Sequence, residues 1–158
     1  MFKLFMDLDG VLVDFDRGVQ ELTGKRPDEL HPKRMWPQIA RADGFYEHLH
    51  WMPDGRALWD EVRHLNPAVL TGLPMGTWAE PQKRAWCTRE LGPDVPVVTC
   101  LSRHKARRAH EITPDGVSPV LVDDREKLKE AWEEAGGVFI LHTDAESSLQ
   151  KLRDAGVL

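Results

Sequence analysis

Four aspartates fall within eleven residues in Met-Asp-Leu-Asp-Gly-Val-Leu-Val-Asp-Phe-Asp (6–16), directly behind the apolar Phe-Lys-Leu-Phe. A second acidic pair, Asp123 and Asp124, closes the apolar run Ser-Pro-Val-Leu-Val (118–122). Thr71-Gly72 follow Pro-Ala-Val-Leu (67–70), and Ser102, Arg103 and Lys105 follow Val-Pro-Val-Val-Thr-Cys-Leu (95–101). If these endings meet, several carboxylates share one weakly screened site, where like charges about 4 Å apart repel by several kcal/mol. A divalent cation resolves that repulsion, and an all-oxygen hard donor set selects Mg²⁺. Lys105 and the free amides after Thr71 suit a phosphate. Carboxylate nucleophile, metal, lysine and amide cradle together are the requirements of phosphoryl transfer.

The elements that must bring these residues together are legible in the hydrophobic pattern. Phe-Lys-Leu-Phe-Met-Asp-Leu (2–8), residues 67–70, 95–101, 118–122 and Gly-Val-Phe-Ile-Leu (137–141) are short apolar runs that stop at polar or breaking residues. Between them lie helical patterns. Residues 53–65 place Leu58, Val62 and Leu65 on one stripe, and 79–91 end at Gly92-Pro93. Residues 125–137 put Leu128, Ala131, Trp132 and Ala135 on one face before a glycine pair, and 145–156 close the chain similarly. Strands alternating with helices predict an α/β fold, a doubly wound, Rossmann-like parallel sheet of about five strands. Residues 15–52, rich in Pro, Trp, His and charge, show no strand and read as a small helical cap inserted after strand one. The expected organisation is a core of 1–14 and 53–158 with a cap of 15–52. In such a sheet, ligands bind beyond the carboxyl ends of the strands, which is where the polar endings fall.

Composition sets the outer limits. At 158 residues and 18.0 kDa the chain is about one domain, with 41% hydrophobic and 30% charged residues. A net charge of −5 argues against a general nucleic-acid binder. The basic stretch Arg-His-Lys-Ala-Arg-Arg-Ala-His (103–110) is the local exception, read as a solvated helix face or basic loop apart from Lys105. No apolar run reaches membrane-span length, and Met-Phe-Lys-Leu-Phe-Met-Asp lacks the longer apolar region of a signal peptide. A cytoplasmic location is expected. Cys87 and Cys100 have no metal or redox spacing and read as buried thiols.

Asp-Leu-Asp-Gly-Val (7–11), apolar-Leu-Thr-Gly (69–72), Lys105 after the third strand and Val-Leu-Val-Asp-Asp (120–124) resemble, in order, the four motifs of the haloacid dehalogenase superfamily. Asp-Leu-Asp-Gly-Val-Leu-Val-Asp-Phe, Arg-Ala-Trp-Cys-Thr-Arg-Glu-Leu-Gly-Pro-Asp-Val-Pro with Ser-Arg-His-Lys behind it, and Val-Leu-Val-Asp-Asp-Arg-Glu resemble the 5′(3′)-deoxyribonucleotidase group. The resemblance implies a Mg²⁺-dependent phosphomonoesterase acting on (deoxy)nucleoside monophosphates. Asp7 would attack phosphorus and form an aspartyl-phosphate, while Asp9 would protonate the leaving oxygen and then activate water. It assigns the metal to Asp7, the backbone carbonyl of Asp9, and Asp123. Asp124 would stand behind Asp123, and those two can exchange roles. Thr71 and the Gly72 amide would hold phosphoryl oxygens, with Lys105 neutralising Asp7 and phosphate. Gly72 departs from the pattern, since the nucleotidases commonly carry serine there.

The resemblance also places an aromatic at Phe15, where the group stacks on a base; Trp36 and Phe45 are further aromatics of the cap. Packing is the competing reading for Phe15 and the favoured one for Trp36, Phe45 and Trp51. His48 and His50 lack a third ligand and read as surface residues. The implied partner is a small phosphoester, with neither a membrane nor a stable nucleic-acid complex; a homodimer is compatible. A phosphatase acting on another small phosphoester or a polynucleotide end uses the same motifs. A receiver-like signalling domain shares the residue types, but there the acidic pair comes first and the phosphorylated aspartate mid-chain; here Asp7-x-Asp9 comes first and Asp123-Asp124 last.

Overall fold

The computed structural model describes residues 1–158. Five strands form one all-parallel sheet: β1 (Phe2–Met6), β2 (Ala68–Gly72), β3 (Val97–Cys100), β4 (Ser118–Asp123) and β5 (Val138–Leu141). Their order is β3-β2-β1-β4-β5, so the N-terminal strand is central and the chain winds outward twice from it. Alternation along each strand divides the core. Leu4, Met6, Val69, Val120, Val122 and Ile140 join one apolar cluster, and Phe5, Leu70, Leu121 and Phe139 the other. Burial on both faces is why these segments read as continuous apolar runs.

Seven helices cover the faces: α1 (Phe15–Thr23), α2 (Pro32–Arg41), α3 (Gly55–Val62), α4 (Ala79–Glu90), α5 (Lys105–Ile112), α6 (Lys129–Glu134) and α7 (Ala145–Asp154). Leu58 and Val62 of α3, Trp86 and Cys87 of α4 and Leu152 of α7 pack on the first face. Ala109 of α5 and Trp132 of α6 pack on the second. The helix ends are locally encoded. Asp14 caps α1 by accepting the Arg17 N–H at 3.1 Å, and Asp144 caps α7 through the Ser147 N–H at 2.8 Å. Gly24 terminates α1 in the left-handed region at φ 79°.

The stretch between β1 and β2 is helical as its sequence indicates. It enters and leaves side by side, with Val13 bridging Trp51 and the Met52 N–H donating to Leu12 O at 2.7 Å. Its apolar residues Val19, Met35, Ile39, Tyr46 and Leu49 belong to the same cluster as the first sheet face. Insertion and sheet therefore share one core.

One element differs from the sequence expectation. The first strand stops at Met6 rather than at residue 8, because Leu8 turns inward and its carbonyl accepts the N–H groups of Val11, Leu12 and Val13 at 2.9–3.1 Å. That tight loop brings Asp9 back beside Asp7. The basic stretch 103–110 begins with a 3₁₀ turn at Ser102–His104 and continues as α5.

Candidate active site

Register carries the functional side chains to one rim. Met6 pairs with Val69 on one side and Val122 on the other, so the residues that follow, Asp7, Leu70 and Asp123, stand level across three strands. Gly72 pairs with Cys100 and Asp123 with Leu141. Beyond these ends lies a cavity of about 380 Å³, lined among others by Asp7, Asp9, Gly72, Ser102, Lys105 and Asp124.

Asp7 is 5% exposed. Lys105, the first residue of α5 and equally buried, donates to Asp7 Oδ1 at 2.9 Å and to Asp123 Oδ2 at 2.7 Å. Burial opposes the lysine's charge, but the two carboxylates outweigh it and hold the ammonium well above its ordinary range. One cation between two anions leaves a surplus of negative charge. Asp123 expresses it: burial and the Asp7 charge push its carboxyl up to about 6 in spite of Lys105. Asp123 Oδ1 accepts the Arg125 N–H at 2.9 Å, so both of its oxygens are engaged inside the protein, and the residue is wholly enclosed.

Asp124 is arranged the other way. It is exposed, lines the cavity, and is pushed up to about 7 by partial withdrawal from water and by the charges of Asp7 and Asp123. A Cβ on Gly10 would stand 2.1 Å from Asp124 Oδ2, and Gly10 holds φ +83°. Glycine is required there for both reasons. Of the two fourth-strand acids, Asp124 lines the cavity and Asp123 is enclosed behind it.

Asp9 is held by a residue that the sequence did not single out. Lys83, from the middle of α4 and 2% exposed, donates to Asp9 Oδ2 at 3.0 Å, Thr71 Oγ1 at 2.9 Å and the Gly72 carbonyl at 2.7 Å. Its ammonium also lies 4.5 Å from the Tyr46 ring centre. Withdrawal from water raises the Asp9 carboxyl above its usual range, against the pull of Lys83. Asp9 Oδ1 is buried without a partner, and the Asp9 carbonyl accepts no backbone hydrogen bond.

Of the phosphate-binding candidates, Gly72 lines the cavity, whereas Thr71 is 1% exposed, lies outside the lining and has its oxygen engaged by Lys83. Among the aromatics, Phe15 lines the cavity and stacks on Tyr46 with ring centres 6.2 Å apart. Trp36 stands 5.9 Å from Phe15 and forms part of a neighbouring apolar cleft of about 530 Å³ with Leu73, Met75 and Trp78. Phe45 is 7% exposed and outside the cavity; it packs edge-on against Phe15 and Tyr46, a core residue rather than a substrate contact. Trp51 packs on Trp86 beneath Arg56. His50 lies 3.4 Å from Glu21. Arg107 and Arg108 pair with Glu111 on the surface of α5. Cys87 and Cys100 are free thiols, buried and half-buried, and burial pushes Cys87 up to about 12.

His142, directly after β5, is a further lining residue; its Nδ1 lies 2.7 Å from Ser148 Oγ, and burial lowers its pKa. The rule that found the other four strand endings, applied to the fifth, points to it. No comparable signal marks Lys83, which sits mid-helix.

The donor set fits a divalent cation. Oxygens of Asp7, Asp123 and Asp124 lie within 4.8 Å of one another. The lining holds five carboxylates, Asp7, Asp9, Asp14, Asp16 and Asp124, against the two cations Lys105 and Arg125. With its acids ionised, such a cavity repels a phosphate unless a cation enters with it.

No protein-family model matches the sequence, and no curated protein matches it. Solved structures do match. A hydrolase from Streptococcus pneumoniae TIGR4 superposes with TM-score 0.57 at 16% identity, covering 96% of this chain and 97% of that one. A haloacid dehalogenase-like family hydrolase from Streptococcus pneumoniae gives 0.58 at 14% identity, over 95% and 90%. A HAD hydrolase, family IA, variant 3, from Entamoeba histolytica gives 0.50 at 13%, over 98% and 89%. These likenesses establish the fold over nearly the whole chain.

Proposed function

We propose that this chain, which has the fold of the haloacid dehalogenase-type hydrolases, is a Mg²⁺-dependent phosphomonoesterase that hydrolyses (deoxy)nucleoside monophosphates. The observation that carries the reading is the juxtaposition of two unlike carboxyls. Asp7 is held against the Lys105 ammonium, while Asp9 lines the same cavity, is raised in pKa and has a buried Oδ1 without a partner. One suits a nucleophile, the other a proton carrier.

An Asp7 oxygen attacks phosphorus; the new O–P bond forms as the bond to the leaving oxygen breaks. The Asp9 proton passes to that oxygen, leaving Asp9 as a carboxylate. Asp9 then takes a proton from water, whose oxygen bonds to phosphorus as the Asp7–phosphorus bond breaks. Phosphate departs and both carboxyls regain their starting states. Lys105 keeps Asp7 in place and faces the phosphoryl charge, and Gly72 presents its backbone to the phosphoryl oxygens. Lys83 holds Asp9 from behind through Oδ2, which leaves Oδ1 without a protein partner for the proton transfer.

Asp7, Asp124 and the free carbonyl of Asp9 would hold Mg²⁺, with Asp123 orienting Lys105 behind them. Bound there, the ion supplies charge neutralisation for the phosphoryl oxygens. The nucleoside is assigned to the side of the cavity formed by Phe15, whose ring contacts Trp36 of the neighbouring apolar cleft. Base stacking is worth about 1–3 kcal/mol.

The test is phosphate release with Mg²⁺ from nucleoside monophosphates and sugar phosphates, with Asp7→Asn as control. Turnover of the deoxynucleotides, lost in the variant, is the expected result. Activity confined to non-nucleotides would refute the substrate assignment; no turnover of any monoester would refute the phosphatase.

A further inference from the structure

Gly72 closes β2 at the edge of the cavity, and its backbone does not lie in the left-handed region that calls for glycine. What excludes a side chain there is Ser102. A Cβ at position 72 would stand 2.1 Å from Ser102 Oγ and 3.3 Å from Ser102 Cβ, the first closer than non-bonded atoms come. Both residues line the cavity. Their relative position is rigid on each side. Lys83 ties down the Gly72 carbonyl at 2.7 Å, and the turn beginning at Ser102 is closed by the His104 N–H on Leu101 O at 2.8 Å. That turn leads into α5, whose first residue, Lys105, is locked between Asp7 and Asp123.

The hydroxyls around the cavity differ in what they are free to do. Thr71 is buried, outside the lining, and accepts from Lys83. Thr143 lines the cavity but donates to Asp144 at 3.3 Å. Ser102 lines it, is half-exposed, and takes no part in the side-chain hydrogen bonds that order its neighbours Thr71 and Lys105.

We propose that Ser102 is a phosphoryl-binding residue, its hydroxyl filling the one slot beside Thr71 that a side chain at position 72 would otherwise occupy. This deepens the proposed function, and takes from it the identity of the anion. A hydroxyl donor pre-placed at the end of β2, beside the Gly72 amide, adds a charge-assisted hydrogen bond to an oxygen of the transferred group. Positions 72 and 102 therefore compete for one slot: a side chain at position 72 displaces the Ser102 hydroxyl from its present place beside the Gly72 amide.

The experiment is a side-chain swap, read by inorganic phosphate binding in Mg²⁺ buffer by calorimetry and by kcat/KM on p-nitrophenyl phosphate. Thermal melts confirm folding of each variant. Ser102→Ala weakens both phosphate affinity and kcat/KM by about 10- to 100-fold, the range of one hydrogen bond to a charged group. Gly72→Ser alone, forced against Ser102, loses at least as much. Gly72→Ser with Ser102→Ala recovers about tenfold or more over either single variant, since the hydroxyl returns from the other side. An unchanged phosphate affinity in Ser102→Ala, or a double variant no better than its parents, would overturn the assignment. If the native protein turns over no monoester while Ser102→Ala still loses phosphate affinity, the phosphatase reading falls and the role of Ser102 stands.

Discussion

Replacing Lys83 by methionine tests how the site holds its second aspartate. The methionine keeps most of the apolar stem and removes the charge. Lys83 is 2% exposed, and its ammonium serves three oxygens within 3.0 Å, on Asp9, Thr71 and Gly72. Removing one member of a buried ion pair costs about 3–5 kcal/mol, because the other charge is left uncompensated. Asp9 is not fully enclosed, its side chain being 30% exposed, and its already raised carboxyl can take up a proton. The loss should therefore fall near the lower end, about 3 kcal/mol. Urea unfolding measures it directly, as a lower midpoint with an unchanged slope. The kinetic consequence is selective. With Asp9 free to turn, kcat/KM for alkyl monoesters, whose leaving oxygen must be protonated, should fall by about 100-fold, the lower range of general acid catalysis. For p-nitrophenyl phosphate, whose leaving group departs as the anion, kcat/KM should fall much less. Equal losses on both substrates would show that Lys83 serves the phosphate and not Asp9. An unfolding free energy within about 0.5 kcal/mol of the native value would refute the claim that it compensates a buried charge.

Asp7→Asn should abolish turnover, by about 10⁴-fold or more, and should leave no phosphate on the protein in acid-quenched mass spectra. Asp123 and Asp124 are raised in the folded protein from 3.8 to about 6 and about 7, so they hold protons that the unfolded chain has already released. In metal-free protein their contribution to stability is present at low pH and lost as pH rises through that interval. Mg²⁺ must displace the Asp124 proton, so the rise in Tm that it produces should be small at pH 5 and full at pH 8; a rise independent of pH would contradict the assignment of Asp124 to the metal. Gly10→Ala places a Cβ 2.1 Å from Asp124 Oδ2 at φ +83°, so it should cost about 2 kcal/mol, lower Tm by roughly 4–8 °C and weaken Mg²⁺ binding in calorimetry. Phe15→Ala should raise KM for nucleoside monophosphates about tenfold while leaving sugar phosphates within about twofold, and a uniform effect would remove Phe15 from base recognition.

What the sequence determined is local and periodic. Apolar runs closed by polar residues fixed five strands and the edge at which they end, because burial on both faces of a parallel sheet demands continuous hydrophobicity. The acids of residues 7, 9, 123 and 124 and Lys105 needed only that edge to come together. Four things were decided by the tertiary structure alone. Asp123 and Asp124 are adjacent and chemically identical; one is sealed against Lys105 and the other opened on the cavity by the side of the strand end on which each falls, together with the close approach of Gly10. Lys83 reaches Asp9 across 74 residues from the middle of a helix, and its spacing to every other site residue reflects only how α4 lies on the sheet. Phe45 and Phe15 are alike as cap aromatics in the chain, but packing closes over one ring and leaves the other at the cavity. Gly72 and Ser102 share a single space, a constraint that exists only once β2 and the turn before α5 have been brought within a side chain's width.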